Sequence, residues 1–152
     1  MRAAIPALAR AVDAAVERYQ AGGTMHYFGA GTSGRISTLD AAELPPTFSA
    51  DPARTVAHHA GGAFAISQAR ENVEDDPAVG REAAAEVTAA DVAIGVAASG
   101  RTPFVVGTLQ AAKEAGASTV LVSSALHGPT AELVDEYISV DWARRPSPAR
   151  RA

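Results

Sequence analysis

Along the chain the apolar positions change period several times, and each change marks an element. Residues 3–21 place Ile5, Leu8, Val12, Val16 and Tyr19 at three- and four-residue steps before Gly22-Gly23, a spacing that predicts an amphipathic helix with a glycine stop. Thr24 to Phe28 (TMHYF) is a short β-prone run that leads into the glycine-rich GAGTSGR. A helix is expected from about Arg35 to Glu43, ended by Pro45-Pro46. Arg54 to His59 reads as a second, weaker strand. Residues Ala63 to Asp75 and Pro77 to Ala90 read as two helices, with Asp76 as N-cap and Pro77 at the first helical position.

Asp91 to Ala98 (DVAIGVAA) is apolar on both faces, as a buried parallel strand should be. SGRTP follows it. Phe104 to Ala115 forms the next helix, closed by Gly116, and Ser118 to Ser123 (STVLVS) another strand. A short helical piece from about Thr130 to Tyr137 and a strand from Ile138 to Asp141 complete the pattern. Strands alternating with helices predict an α/β fold, a three-layer α/β/α sandwich around a parallel sheet with right-handed crossovers. The ligand site of such a fold lies at the carboxyl ends of its strands.

Composition narrows the function. At 152 residues the chain fits one domain, and 47% hydrophobic with 20% charged residues is a globular balance that excludes wholesale disorder. The absence of cysteine removes a disulfide framework, a thiol nucleophile and a Cys-ligated metal, and makes a cytoplasmic location the default. The longest apolar runs, near VAIGVAA and TVLV, fall short of the ~18–20 residues of a membrane span, and the N-terminus lacks a signal peptide's apolar core. Four of the thirteen basic residues (Arg144, Arg145, Arg150, Arg151) lie in the last nine positions, so residues 1–143 carry nine bases against seventeen acids. An acidic body argues against nucleic acid as the main partner. The tail WARRPSPARRA reads as a disordered end.

Two strand-to-helix loops share a tripeptide: Ser33-Gly34-Arg35 in GAGTSGR and Ser99-Gly100-Arg101 in AASGRTP. Each should bring a hydroxyl, free backbone N–H groups and a helix N-terminus to the same sheet edge, a combination suited to an anion. Tight βα turns made of small residues are the alternative reading of either loop alone. Gly29-x-Gly31-x-x-Gly34 formally matches the dinucleotide fingerprint, but the second strand ends in His58-His59-Ala60-Gly61-Gly62 where that fold wants an acid. No P-loop is present, since Lys113 lies inside a helix. Glu43 ends its expected helix, where a carboxylate opposes the helix dipole, and Glu74 sits in ENVEDD, which also reads as solvated caps. His58 and His59 lack a spaced third ligand for a metal; His26 and His127 carry no further signal.

Taken together, YFGAGTSGRISTLDAAELPPTF, AGGAFAISQARENVEDD and GVAASGRTPFVVGTLQAAKEAG resemble the N-acetylmuramic acid 6-phosphate etherases of the sugar isomerase (SIS) superfamily, from about Ala21 to Ser123. The resemblance implies a SIS domain of flavodoxin-like strand order over residues 23–142, after an N-terminal helix (1–22) and before a basic tail (143–152). It implies cleavage of the D-lactyl ether of N-acetylmuramic acid 6-phosphate during cell-wall recycling, without cofactor or metal, by a homodimer. Under it, Glu43 is the proton donor at elimination and Glu74 the second acid/base. Thr32, Ser33, Gly34 and Arg35 with Ser99, Gly100, Arg101 and Thr102 hold the sugar phosphate. Members of that family are about twice this length, so a truncated fragment is one expectation; a non-catalytic sugar-phosphate regulator, like the glucokinase regulatory proteins, is another. Finally, Ser33 and Glu43 are ten residues apart, about 15 Å along a regular helix, so Glu43 either folds back or serves a phosphate held by another subunit.

Overall fold

The computed structural model describes residues 2–68, 73–126 and 128–140. Five strands, β1 (Met25–Gly29), β2 (Thr55–His59), β3 (Val92–Val96), β4 (Ser118–Ser123) and β5 (Glu136–Ser139), form one sheet in the order β2-β1-β3-β4-β5. All neighbouring strands are parallel, so the expected α/β architecture and strand order are the observed ones. Of the helices, α1 (Ile5–Gln20) covers β3 to β5 and α2 (Gly31–Phe48) covers β1 and β2 on one face. On the other face α5 (Pro103–Glu114) lies over β1, β3 and β4, with α4 (Pro77–Ala83) packed against it. The fifth helix, α3 (Phe64–Ser67), is a single turn.

The main core lies between the sheet and α5, where Phe28, Phe104, Leu109 and Leu121 are fully buried. Burying each of these side chains contributes roughly 1.5–3 kcal/mol. Helices α4 and α5 meet backbone to backbone. A Cβ on Gly80 would lie 2.1 Å from the Phe104 carbonyl oxygen, and one on Gly107 2.0 Å from that of Pro77, so only glycine permits this approach.

On the opposite face the apolar stripe of α1 is not what packs. Ala11 is buried, and Ala4, Ala7 and Ala15 join it against Val92, Val120 and Ile138. Ile5, Leu8, Val12 and Val16 are between 48% and 56% exposed. Small alanines let the helix sit close to the sheet and turn its large aliphatic side chains outward.

Several elements differ from expectation. Helix α2 starts four residues early, at Gly31, and runs through Pro45 and Pro46 to Phe48, ending in a left-handed Ser49 (φ 56°). The prolines each remove one i→i−4 bond, from the carbonyls of Ala41 and Ala42, without ending the helix. The helix expected over 63–75 is reduced to α3; residues 69–72 lie outside the described chain, and 73–75 form a bend. The helix expected over 77–90 stops at Ala83, where the backbone tightens to i→i−3 bonds at Ala85 and Val87. Beyond it the Asp91 carboxylate accepts the N–H of Thr88 and that of Thr24, 2.7 Å each, which draws Thr88 out of any helical ladder. The helical piece expected over 130–137 is a 3-10 turn, Pro129–Leu133, and β5 begins at Glu136. His127, Asp141 and the basic tail lie outside the described residues.

Candidate functional site

In a parallel sheet of this order the crevice forms where consecutive connections leave on opposite faces. That place is between β1 and β3, neighbours in register from Met25↔Val92 to Gly29↔Val96. The chain leaves β1 into α2 on one face and leaves β3 towards α5 on the other. Both Ser-Gly-Arg segments therefore stand at the carboxyl edge, one on each lip of the crevice.

The first segment is the opening turn of α2. Its N-cap, Ala30, is extended and supplies no side-chain cap, and the first amide bonded back into the helix is Gly34, to the Ala30 carbonyl at 3.0 Å. The N–H groups of Gly31, Thr32 and Ser33 thus point out of the helix beside two hydroxyls, with the helix dipole behind them. Glycine makes the turn possible: Gly31 has φ +53°, and Gly29 and Gly34 touch, a Cβ on Gly29 lying 2.8 Å from the Gly34 Cα. These are the turning and close-packing roles of glycines in dinucleotide-binding turns. At the end of β2, however, stands buried His59, whose Nε2 lies 3.0 Å from the Gly31 carbonyl and Nδ1 2.7 Å from that of Ala60. Arg35 turns away from the turn: its Nε donates to the Ile66 carbonyl at 2.8 Å and one Nη to that of Ala65 at 3.4 Å.

The second segment is strapped from below. Gly100, at φ +66°, offers its carbonyl to the buried Thr130 hydroxyl at 2.6 Å. The Ser123 hydroxyl donates to the Ala98 carbonyl at 3.1 Å. Ser99 is exposed, and its Oγ accepts the Arg101 N–H at 3.2 Å. Arg101 is exposed, and Thr102 is the N-cap of α5 without a side-chain cap bond. Pro103 has no N–H, and the Phe104 N–H donates to the Glu74 carbonyl at 3.0 Å. That bond pins Glu74, whose side chain is exposed, to the start of α5 beside the second segment. Glu43 is not brought there. It is exposed on α2, ten residues beyond Ser33, on the helix face that also carries the exposed Ile36 and Leu39.

His26, which carries no signal in the sequence, is 5% exposed, with Nδ1 3.1 Å from His58 Nε2 and Nε2 3.8 Å from an Asp91 oxygen. Burial pushes the His58 imidazole down to about 4, helped by neighbouring His26, and burial also lowers His26. Burial raises Asp91, but bonds from Thr24 and Thr88 outweigh it and hold the carboxyl below its ordinary value. His58 and His59 then line an open cleft of about 510 Å³ with Gly61, Gly62, Glu82 and Phe104. Among the described residues no group of three acids or histidines is placed to hold a metal, and no helix is long and apolar enough to cross a membrane.

Residues 7–113 match the family model of the glucokinase regulatory protein N-terminal SIS domain. The chain belongs to that family. This SIS domain is 57% identical over 136 residues to the N-acetylmuramic acid 6-phosphate etherase of Thermobifida fusca, covering 90% of this chain and 45% of that protein. The etherase of Pectobacterium atrosepticum is 47% identical over 137 residues, covering 89% and 45%. The chain thus spans about half the length of the curated relatives it matches. A phosphoheptose isomerase from Francisella tularensis has the same fold, with a TM-score of 0.62 at 18% identity over 90% of this chain and 74% of that one.

Proposed function

We propose that this SIS domain holds the phosphate of N-acetylmuramic acid 6-phosphate between its two Ser-Gly-Arg segments and supplies the carboxylates of a D-lactyl etherase. The observation that carries the reading is the convergence of both hydroxyl-bearing segments on one crevice, in a chain 57% identical to an etherase. The first turn of α2 is the phosphate cradle, through the N–H groups of residues 31–33 and the Thr32 and Ser33 hydroxyls. Ser99 and Thr102 close it from the other lip. Gly34 and Gly100 allow the approach, Arg101 stands at the rim, and Arg35 braces the loop after β2.

The chemistry needs no cofactor. In the open-chain sugar the C2 proton is α to the aldehyde, so a carboxylate can remove it while a carboxylic acid protonates the ether oxygen at C3. The C–O bond breaks, D-lactate leaves, and water adds across the C2=C3 bond to give N-acetylglucosamine 6-phosphate. Glu43 is the donor to the leaving oxygen and Glu74 the second acid/base. The position of Glu74 beside the second segment supports its role directly. Glu43 works from a second copy: it shares its helix face with exposed Ile36 and Leu39 and lies ten residues beyond Ser33 on the continuous helix α2, about 15 Å along its axis. A homodimer that buries this face, with the outward stripe of α1, delivers each Glu43 to the partner's site. A location in the cytoplasm and a role in cell-wall recycling accompany this substrate.

Calorimetric titration with N-acetylglucosamine 6-phosphate tests the site. Ser33→Ala and Ser99→Ala should each weaken binding by about 1–3 kcal/mol, because each removes a charge-assisted hydrogen bond. Unchanged affinity in both variants removes the assignment. D-lactate release from N-acetylmuramic acid 6-phosphate tests the reaction, and Glu43→Gln or Glu74→Gln should abolish or sharply reduce it. A protein that binds the phosphosugar yet releases no lactate in any assembled form is instead a sugar-phosphate sensor, a reading favoured by its match to a regulatory-protein domain.

A further inference from the structure

His59 stands where a dinucleotide-binding fold has its ribose-binding acid, at the carboxyl end of β2, yet it turns towards the first segment. The Cδ2–Nε2 edge of its ring packs against the start of α2: a Cβ on Gly34 would lie 2.5 Å from its Cδ2 and 2.8 Å from its Nε2. Each ring nitrogen faces a carbonyl oxygen, Nε2 that of Gly31 and Nδ1 that of Ala60. A neutral imidazole carries one N–H and can donate to one of them, leaving the other nitrogen lone pair against an oxygen lone pair. The imidazolium donates to both. The residue is 8% exposed, so water is poorly placed to relieve the mismatch.

We infer that His59 is a protonatable positioning residue of the phosphate cradle: its imidazolium ties the Gly31 carbonyl to the end of β2 and places a positive charge beneath the bound phosphate. The inference rests on the phosphate reading above. A phosphate dianion on residues 31–33 favours the charged ring, and the charged ring favours the dianion, because the coupling of the two sites is reciprocal. The surrounding charges act in both directions. Arg35 on α2, whose donors engage the Ile66 and Ala65 carbonyls, is a like charge that opposes the imidazolium, and the bound phosphate dianion opposes that in turn. On the same face Tyr27 of β1 is paired with Asp40 of α2, His58 points to the opposite face of the sheet, and Glu82 of α4 lines the same cleft as His59.

The test compares the whole chain with His59→Gln, which keeps one N–H for the Gly31 carbonyl and has no charge. Affinity for N-acetylglucosamine 6-phosphate is measured by calorimetry from pH 6 to pH 9, and the variant corrects for the ligand's own second ionisation near pH 6. The wild-type advantage over the variant should be roughly tenfold at the acid end, the size of a charge acting across a partly buried gap, and should vanish at the alkaline end. An advantage that is absent, or that does not change with pH, overturns the inference. The ¹⁵N spectrum of the His59 ring decides separately. Both nitrogens protonated at pH 6 supports the clamp; a single neutral tautomer there overturns it even if phosphosugar binds. If the wild type binds no phosphosugar while the ring is doubly protonated, the phosphate reading fails and the charged clamp stands.

Discussion

Gly34→Ala is the substitution on which the geometry of the cradle can be judged most sharply. The added methyl would lie 2.5 Å from His59 Cδ2, 2.7 Å from the Gly29 carbonyl oxygen and 2.8 Å from His59 Nε2. Carbon contacts are comfortable near 3.5–4.0 Å, so either the ring or the β1–α2 junction must retreat by about 1 Å. The junction is backbone on both sides, and the ring is held at both nitrogens. Overpacking of this kind costs typically 1–3 kcal/mol, and with neither neighbour free to yield the upper end is expected, about 3 kcal/mol. For a domain of this size that lowers the midpoint of thermal unfolding by roughly 6–12 °C. Gly31→Ala is the control. Its φ is +53° but its Cβ would meet nothing within 4 Å, so only the left-handed strain of roughly 1–2 kcal/mol applies. Adding His59→Ala to Gly34→Ala should recover part of the loss and leave the part owed to the Gly29 oxygen, giving a coupling of about 1 kcal/mol or more in a double-mutant cycle. Urea unfolding of the five chains (parent, Gly34→Ala, Gly31→Ala, His59→Ala and the double variant) measures these costs. If Gly34→Ala costs no more than Gly31→Ala, or the two substitutions at 34 and 59 simply add, the ring does not pack on the cradle and the account of this turn is wrong.

Mixing a Ser33→Ala chain with a Glu43→Gln chain should restore D-lactate release if each Glu43 serves the partner's phosphate; a demonstrated mixed dimer that stays inactive beside an active parent refutes the shared site. Acid should destabilise the fold through the His26–His58 pair. Because His58 falls from 6.5 to about 4 on folding, the unfolded chain binds more protons between those values, so stability is full above pH 6.5 and is lost as pH drops towards 4. The loss should be about 2 kcal/mol, less than the full shift implies because the ring is partly hydrated. His58→Phe, which keeps the stack on Phe28, should flatten stability against pH in urea titrations, and an unchanged slope would refute this origin. Thr130→Val should remove the 2.6 Å bond to the Gly100 carbonyl, cost about 1–2 kcal/mol in thermal unfolding and weaken phosphosugar binding; intact binding would show that the strap does not position the second segment.

How far the sequence could be read depended on what each signal measured. Continuous apolar runs such as VAIGV and STVLV report burial on both faces, which only a central parallel strand supplies, so β3 and β4 and the sandwich around them were legible. The stripe Ile5, Leu8, Val12, Val16 reports periodicity and not which side packs. The alanines of α1 face the sheet instead, and nothing local distinguishes an aliphatic stripe awaiting a partner from one buried in its own core. The prolines misled for a related reason: Pro45-Pro46 removes hydrogen bonds but does not forbid helical φ, so α2 continues through them. The helix expected beyond Ala83 failed because a distant carboxylate, Asp91, claims the Thr88 amide, a contact that propensity does not encode. At the site both Ser-Gly-Arg segments were visible as motifs. His59 was visible only as the missing acid of a dinucleotide fold, and its contact with Gly34 required the register of β1 against β2.

The two lips of the crevice look alike in sequence and are unequal in structure, and the inequality assigns them different tasks. Helix α2 opens with three amides that its own ladder does not use and no side-chain cap. Helix α5 opens with Pro103, which has no N–H, and with a Phe104 amide already bonded to the Glu74 carbonyl. Under the proposed reading the first lip offers an anion three consecutive backbone donors, while the second contributes hydroxyls and uses its Phe104 amide to anchor Glu74. The same reading accounts for Glu43 on the exposed face of α2. In the proposed dimer a second copy brings Glu43 to the sugar end of the substrate, about 15 Å along α2 from the cradle of its own chain and away from the phosphate dianion, which would repel a carboxylate beside it.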